Sequence, residues 1–356
     1  MNPLSLLKTL DRPLAALLEL PARGGSLLGR WRKPLRRETL ILRPGGLGDL
    51  VCCHLALEYL GQNPGDFFWL VERRSAPWAR NHALPHLCYD RDARALLTTF
   101  GGTWPLVVNT EQFFGLAQIM ALFCRAPGGR VLSFASNRAS RSSDATEPYS
   151  QNREHESLLL ARLFSRALEV PPPATVPERP RRCPSAGYVL VALGGGISPS
   201  RSFSPEFWRS FVGAHGGDFP LVLSGGASEK ELVEALHAAL PRARLLPPSF
   251  EAFEEAVRSA ERVLTVDSGA VHVASYHGVP TVACFTSGQE KKWAPLGQGS
   301  LLLTNPAATC RPCTLWGQTP PCPHGFVCKE LEHAGNFGAP EEGAPRHADE
   351  QRTPPP

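Results

Sequence analysis

The stretch Arg262-Val-Leu-Thr-Val-Asp-Ser-Gly-Ala-Val-His-Val-Ala274 decides how the chain is read. Val263 to Val266 are apolar or β-branched and predict a short strand. Asp267 ends it, Ser268 and Gly269 make a turn, and a helix follows. A helix that starts on such a turn presents backbone N–H groups backed by the helix dipole, which suits an anion. Gly269 permits close approach, the Ser268 hydroxyl adds a donor, and His272 lies about one helical turn inside. The same spacing fits an ordinary strand-to-helix turn with Ser268 as the cap and His272 as a packing side chain.

The same rhythm continues on both sides. Strands are predicted at Tyr188–Leu193, Pro220–Ser224 and Thr281–Phe285, with helices starting at Ser204-Pro205 and spanning Ser228–Leu240 and Phe250–Ala260. Upstream, strands are predicted at Thr39–Arg43, Phe67–Val71 and Pro105–Asn109, with helices over Leu50–Leu60, Gly115–Cys124 and Glu154–Leu168. Between the two sets lies Pro171-Pro-Pro-Ala-Thr-Val-Pro-Glu-Arg-Pro180, a proline-rich linker. Strands alternating with helices argue for parallel sheets covered on both faces. The expectation is an α/β chain of two doubly wound, Rossmann-like lobes with a ligand cleft between them, near the strand C-termini. The expected boundaries are a basic arm over residues 1–37, a first lobe over 38–170, a linker over 171–184 and a second lobe over 185–334. A Pro-, Gly- and charge-rich tail over 335–356 is expected to be disordered.

Charge narrows the classes of function. The net charge is +4, yet residues 1–37 carry eight basic side chains against Asp11 and Glu19, which leaves −2 for the remainder. The body is therefore not a broad nucleic-acid binder. No run reaches the roughly 18 apolar residues of a membrane span. Asp11 and Glu19 interrupt the first residues, against a secretory signal, so a cytoplasmic protein is expected. The arm, with Leu6, Leu10, Leu14 and Leu17 at helical spacing broken by Pro13, reads as a loosely docked solvated segment. Alternatively it is a peripheral anchor on an anionic membrane or a transit peptide.

Two further loops carry candidate chemistry. Gly45-Gly-Leu-Gly-Asp49 leaves the first strand and enters a helix, but lacks the glycine order of a dinucleotide fold and the lysine of a phosphate-binding loop. Asp49 either caps that helix or projects into the cleft as a general base. Gly194-Gly-Gly-Ile-Ser-Pro-Ser-Arg-Ser-Phe203, with Gly196 as flexible backbone and Arg201 as a bidentate donor, suits a loop around phosphate. A surface loop with a solvated arginine is the alternative.

Together these segments resemble glycosyltransferase family 9, the ADP-heptose:lipopolysaccharide heptosyltransferases and their relatives. The likeness covers about residues 39–330 and rests on Ile41–Asp49, Ser224-Gly-Gly-Ala-Ser-Glu229, Asp267-Ser-Gly-Ala-Val-His272, and Pro280–Phe285 leading to Trp293-Ala-Pro-Leu-Gly297. The resemblance implies a GT-B fold, with a nucleotide-diphospho-sugar, by family default an ADP-sugar, in the second lobe. A glycan or glycolipid acceptor would sit on the first. By position it makes Asp49 the catalytic base. Arg201 takes the place of a phosphate-contacting lysine, and Glu229 matches a donor contact. Asp267, Ser268, Gly269 and His272 match the diphosphate-sugar motif. The chain departs from the family at Gly196-Ile197, which lacks the usual hydroxyls, and at Phe285-Thr-Ser-Gly288. The implied reaction is a single inverting displacement, with no cofactor for catalysis and a helix start and Arg201 meeting the leaving charge.

The chain has ten cysteines, four of them clustered as Cys310-x2-Cys313-x8-Cys322-x5-Cys328. That grouping can hold a tetrahedral zinc or iron of structural kind, as certain members of the resembling family do, or can be four free thiols. Other functions consistent with the sequence are a sugar-nucleotide epimerase and a catalytically silent sugar-nucleotide-binding or scaffold protein. A protein-modifying glycosyltransferase with a structural metal and a metal-organised interaction module also remain open.

Overall fold

A computed structural model describes residues 39–91, 104–136, 138–195, 198–314 and 319–333, together with Asp11, Pro13, Ala15 and Leu18. Six strands form the first sheet: β1 (Thr39–Arg43), β2 (Phe68–Val71), β3 (His86–Cys88), β4 (Trp104–Asn109), β5 (Arg125–Phe134) and β6 (Ala145–Glu147). Their order is β3-β2-β1-β4-β5-β6, and all pairs are parallel. Seven strands form the second sheet: β7 (Val189–Ala192), β8 (Leu221–Ser224), β9 (Arg244–Leu245), β10 (Arg262–Val266), β11 (Thr281–Cys284), β12 (Leu301–Thr304) and β13 (Glu332–His333). Their order is β13-β12-β11-β10-β7-β8-β9, with only β13 antiparallel. The chain is thus an α/β protein of two doubly wound lobes.

Each sheet reverses direction beside its first strand, between β1 and β4 in one lobe and between β7 and β10 in the other. At such a point successive connections leave to opposite sides, so a crevice opens beyond the C-terminal ends of those strands. The segments that leave β1, β7 and β10 hold Asp49 in the first turn of a helix, Arg201 in a loop and Asp267–Gly269 at a helix start, so the topology delivers these sequence candidates to the two crevices.

The helices are α1 (Leu47–Tyr59), α2 (Ala76–Asn81), α3 (Gly115–Cys124) and α4 (Glu156–Leu168) in the first lobe. The second has α5 (Pro205–His215), α6 (Lys230–Ala239), α7 (Phe250–Ser259), α8 (Gly269–His277) and α9 (Glu290–Trp293). The start of α5 is set by the Ser204 hydroxyl, which accepts from Phe207 N at 3.3 Å, and by Pro205 in the first position.

Two helices are buried all round. Leu50 to Leu57 in α1 and Ala270 to His277 in α8 are each unbroken buried runs, as helices covered on all sides, and they carry His54, His272, Ser275 and His277 inside with them. Residues such as Leu50, Val51, Leu55 and Leu57 each stabilise by roughly 1.5–3 kcal/mol on burial. The two helices meet across the lobes in matched steps: Leu47 against Gly269, Gly48 and Cys52 against His272, and His54 and Glu58 against Tyr276. Steps of three or four residues on both sides mean that the helices run the same way, with their N-termini together at the cleft. Glu58 also accepts from Arg179 Nη2 at 2.7 Å and Arg182 Nη2 at 2.5 Å, both in the proline-rich linker, and Arg182 stacks 4.1 Å over the Tyr276 ring.

Asp11, Pro13, Ala15 and Leu18 are helical. Asp11 is buried and accepts from Gly115 N at 2.7 Å and Leu116 N at 2.9 Å, capping α3 in place of Phe114, which has no side-chain cap. Ala15 and Leu18 pack on the outer core of the first lobe. At these positions the arm is docked, contrary to the loosely held segment that Pro13 suggests. The remaining arm and the 335–356 tail lie outside the described residues. No helix of the described residues is long and apolar enough to cross a membrane.

Candidate functional site between the lobes

On the first lobe, β1 ends in Arg43, a buried cation. Its guanidinium donates to Thr110 O at 2.7 Å and pairs with Asp49 at 2.5 Å. Burial works against that charge, but Asp49 and neighbouring acidic groups outweigh it and hold the guanidinium firmly protonated. The other Asp49 oxygen accepts from Gly46 N at 2.8 Å. Asp49 therefore does cap α1, and about a quarter of its side chain still faces solvent. Burial raises its pKa, yet Arg43, Lys292 and the Gly46 N–H together bring it below the usual carboxylate range. The group is a fixed carboxylate, ionised at neutral pH, at the mouth of the crevice.

On the second lobe, β10 leads to Asp267 and into α8. Ser268 caps that helix, its hydroxyl accepting from Ala270 N at 3.3 Å. The N–H of Gly269 and its neighbours form the helix start. Arg201 lies beside it, Nη1 donating to Asp267 O at 3.2 Å and lying 3.8 Å from Asp267 Oδ2. Its buried Nε makes no hydrogen bond. Burial raises the Asp267 pKa, opposed by Arg201 and reinforced by Glu290. Gly288 lies against this carboxylate: a Cβ there would be 1.9 Å from Asp267 Oδ2, so any larger residue must displace it. Glu229 sits beyond β8, two strands from β10 on the same edge, and its carboxylate accepts from Gly226 N at 2.9 Å and from the Ser228 hydroxyl at 2.7 Å. Gly196 lies outside the described residues.

His272 joins the halves. It is buried, its Nδ1 lies 3.5 Å from Cys52 Sγ, and Trp293 meets its ring edge-on at 5.3 Å between centroids. Burial lowers its pKa to about 4, despite the opposing influence of Asp49, so it is neutral at physiological pH.

Sequence reasoning missed Lys292. This buried lysine reaches from α9 into the first lobe, donating to the Tyr149 hydroxyl and to Gln112 Oε1 at 3.2 Å, and lies 3.4 Å from Glu156 Oε2. Its ammonium is 4.4 Å from the Trp293 ring centre and 5.1 Å from that of Tyr149. Nothing in the run Glu290-Lys-Lys-Trp293 distinguishes it from a surface lysine.

Cys310, Cys313 and Cys322 line one depression, Cys328 lies near enough to feel their charge, and burial together with the neighbouring thiols pushes the Cys313 and Cys328 pKa values up. Among the described residues, however, no three His, Cys, Asp or Glu side chains converge to hold a metal ion. The segment is instead anchored by protein bonds: Cys313 N and Thr314 N donate to Ser287 O at 3.1 and 2.8 Å, and Arg311 Nε to Thr286 O at 2.5 Å. Ser287 in turn bonds Ser200 through paired hydroxyls at 2.7 Å, which ties the segment to the Arg201 loop.

Several solved structures share this architecture. E. coli heptosyltransferase WaaC with ADP superposes with a TM-score of 0.61 at 18% identity, over 74% of this chain and 92% of that one. E. coli ADP-heptose lipopolysaccharide heptosyltransferase II gives 0.59 at 13% identity, over 75% and 90%. A glycosyltransferase family 9 protein from Veillonella parvula gives 0.59 at 13% identity, over 76% and 88%. No curated protein matches the chain in sequence. Residues 212–319, which include Glu229, Asp267, Ser268, Gly269 and His272, match the model of glycosyltransferase family 9 (heptosyltransferase). The second lobe therefore carries the glycosyltransferase family 9 signature, on a chain whose two lobes have the GT-B fold of heptosyltransferases.

Proposed function

We propose that the protein is an inverting glycosyltransferase that moves a sugar from a nucleotide-diphospho-sugar to a hydroxyl of a glycan or glycolipid. One observation carries the reading. The N-termini of α1 and α8 abut across the cleft, which brings the carboxylate of Asp49 and the anion-ready start of α8 into one crevice. In the proposed step the acceptor hydroxyl attacks the anomeric carbon from the first-lobe side and Asp49 takes its proton. The bond to the diphosphate breaks on the opposite face, so the configuration inverts. The departing negative charge is met by the N–H groups at Ser268 and Gly269, the Ser268 hydroxyl, the Arg201 guanidinium and His272. Arg43 keeps Asp49 oriented and ionised before the acceptor arrives. Glu229 flanks the donor side.

The step draws on no metal, and the thiols at 310–328 have no part in it. An ADP-sugar is the donor we favour, since the relatives include one solved with ADP. The net +6 of residues 1–37 suits an acceptor on the inner face of a cytoplasmic membrane.

Asp49→Asn tests the assignment. The amide keeps the oxygen that caps Gly46 but loses the basic site. Turnover should fall by about 100-fold or more, while calorimetric affinity for ADP stays unchanged. Near-wild-type turnover would remove Asp49 as the base.

A further inference from the structure

We infer that Cys52 is a positioning residue: its thiol, reaching across the lobe boundary, holds His272 in the tautomer that carries its proton on Nε2. The inference rests on the reading above only for what that proton then does, which is to donate to the diphosphate.

The geometry leaves His272 little freedom. Gly48 lies against the Cδ2 edge of the ring, since a Cβ there would be 2.3 Å from Cδ2, and Trp293 packs on it at 5.3 Å between centroids. Nδ1 is directed at Cys52 Sγ, 3.5 Å away, and Cys52 is fully buried. Burial keeps that thiol protonated, with nearby Glu156 acting in the same direction and the Ser157 hydroxyl only partly opposing it.

A neutral imidazole has one N–H and one lone pair, and the partner of one nitrogen decides the state of the other. Imidazole nitrogen is a good acceptor, whereas thiol sulfur is a poor one. The pair is therefore best satisfied with S–H donating to Nδ1, which leaves Nε2–H free to donate. In the opposite tautomer Nε2 would present a lone pair, and a phosphate oxygen placed against it would be repelled.

Cys52 belongs to α1 and His272 to α8, so the contact exists only when the lobes are seated as they are here. The acceptor lobe thus sets the hydrogen-bonding state of a side chain on the donor lobe. Sequence reading gives no hint of this, because Cys52 and Cys53 look like two small core residues.

The experiment uses full-length protein with 15N-labelled histidine, its tautomers read by two-bond nitrogen–proton correlation spectra without ligand. His272, assigned through the His272→Gln spectrum, should show the Nε2-protonated pattern. Cys52→Ser, which retains a donor, should keep it. Cys52→Ala should convert it to a mixture. Cys124→Ala, a buried cysteine in the outer core of the first lobe, controls for the loss of a core thiol and should leave His272 unchanged. ADP affinity, measured alongside, should weaken roughly tenfold in Cys52→Ala and recover in Cys52→Ser. An Nδ1-protonated His272 in the wild type, or a spectrum unmoved by Cys52→Ala, overturns the inference. If the tautomer shifts as stated while ADP affinity does not, the pairing stands and the placement of the diphosphate at His272 falls.

Discussion

Gly48→Ala is the sharpest single probe of the inter-lobe seam. Within an isolated helix the substitution would be favourable by about 0.5–1 kcal/mol, because glycine loses more conformational freedom on folding than alanine. The seam reverses the sign. The new methyl carbon would fall 2.3 Å from His272 Cδ2, 3.1 Å from Nε2 and 3.2 Å from Cγ. Comfortable carbon contacts begin near 3.5 Å, so ring and helix must part by roughly 1 Å. His272 is not a flexible chain end that can swing aside; Cys52 and Trp293 hold it. Overpacking of this kind costs about 1–3 kcal/mol, so the net effect should be a loss of up to about 2 kcal/mol. A 1 Å displacement of a group in the cleft should also cost on the order of 100-fold in kcat/KM with a competent sugar donor. Thermal unfolding and steady-state kinetics on the same preparation read both effects. A variant that melts higher than wild type and turns over normally would show that α1 and α8 are not packed as described.

Three further outcomes follow from other parts of the molecule. Asp11→Ala removes the carboxylate that caps α3 and should lower stability by about 1 kcal/mol in urea unfolding; no change would mean that the contact does not hold the arm. Acidification should unfold the protein early. His54, His155 and His272 are held neutral by burial, with pKa values of about 3, 3 and 4, against an ordinary value near 6.5 in the unfolded chain. Their folded values are depressed, so their contribution is complete above about pH 6.5 and is lost as the pH falls toward 4. The slope is about 1.4 kcal/mol per histidine per pH unit, and a flat melting temperature between pH 6.5 and 5 would refute it. Gly288→Ala, whose methyl would meet Asp267 at 1.9 Å, should displace the Asp267–Arg201 pair and weaken ADP binding by about tenfold or more, read by calorimetry; unchanged affinity would detach that pair from the donor site.

The sequence was most readable where one local signal sufficed. Arg262–Val266 is a strand because β-branched and apolar residues alternate with nothing to break them, and Ser204-Pro205 starts α5 because cap and proline coincide. The short outer strands β3, β6, β9 and β13 gave no such signal; two or three residues cannot display a period, and these pairings are set by the sheet they join. At the site, glycine and acidic residues at strand ends stood out because turns require them. Lys292, Cys52 and Arg43 did not, because their meaning lies in partners brought from far along the chain: Lys292 is 180 residues from Gln112, and Cys52 is 220 from His272. The loop after Thr309 is rich in proline and so offers few backbone bonds of its own. The bonds from Arg311, Cys313 and Thr314 to Thr286 and Ser287 supply a tie that no local pattern announces.

The meeting of Arg179 and Arg182 with Glu58 bears on how such enzymes can be recombined. Exchanging whole lobes between two-lobed proteins is an obvious route to new pairings of donor and acceptor, with the junction placed in the proline-rich connector. Here the connector is bonded to the first lobe through Glu58 and to the second lobe through the Arg179 N–H on Leu296 O and the Arg182 stack on Tyr276. A graft cut within it that omits Glu58 would leave two arginines facing no counter-charge at the pivot. The transferable unit is therefore the second lobe plus its connector plus one glutamate of α1, and a chimera that keeps this charge triad should retain the angle at which the two halves face each other.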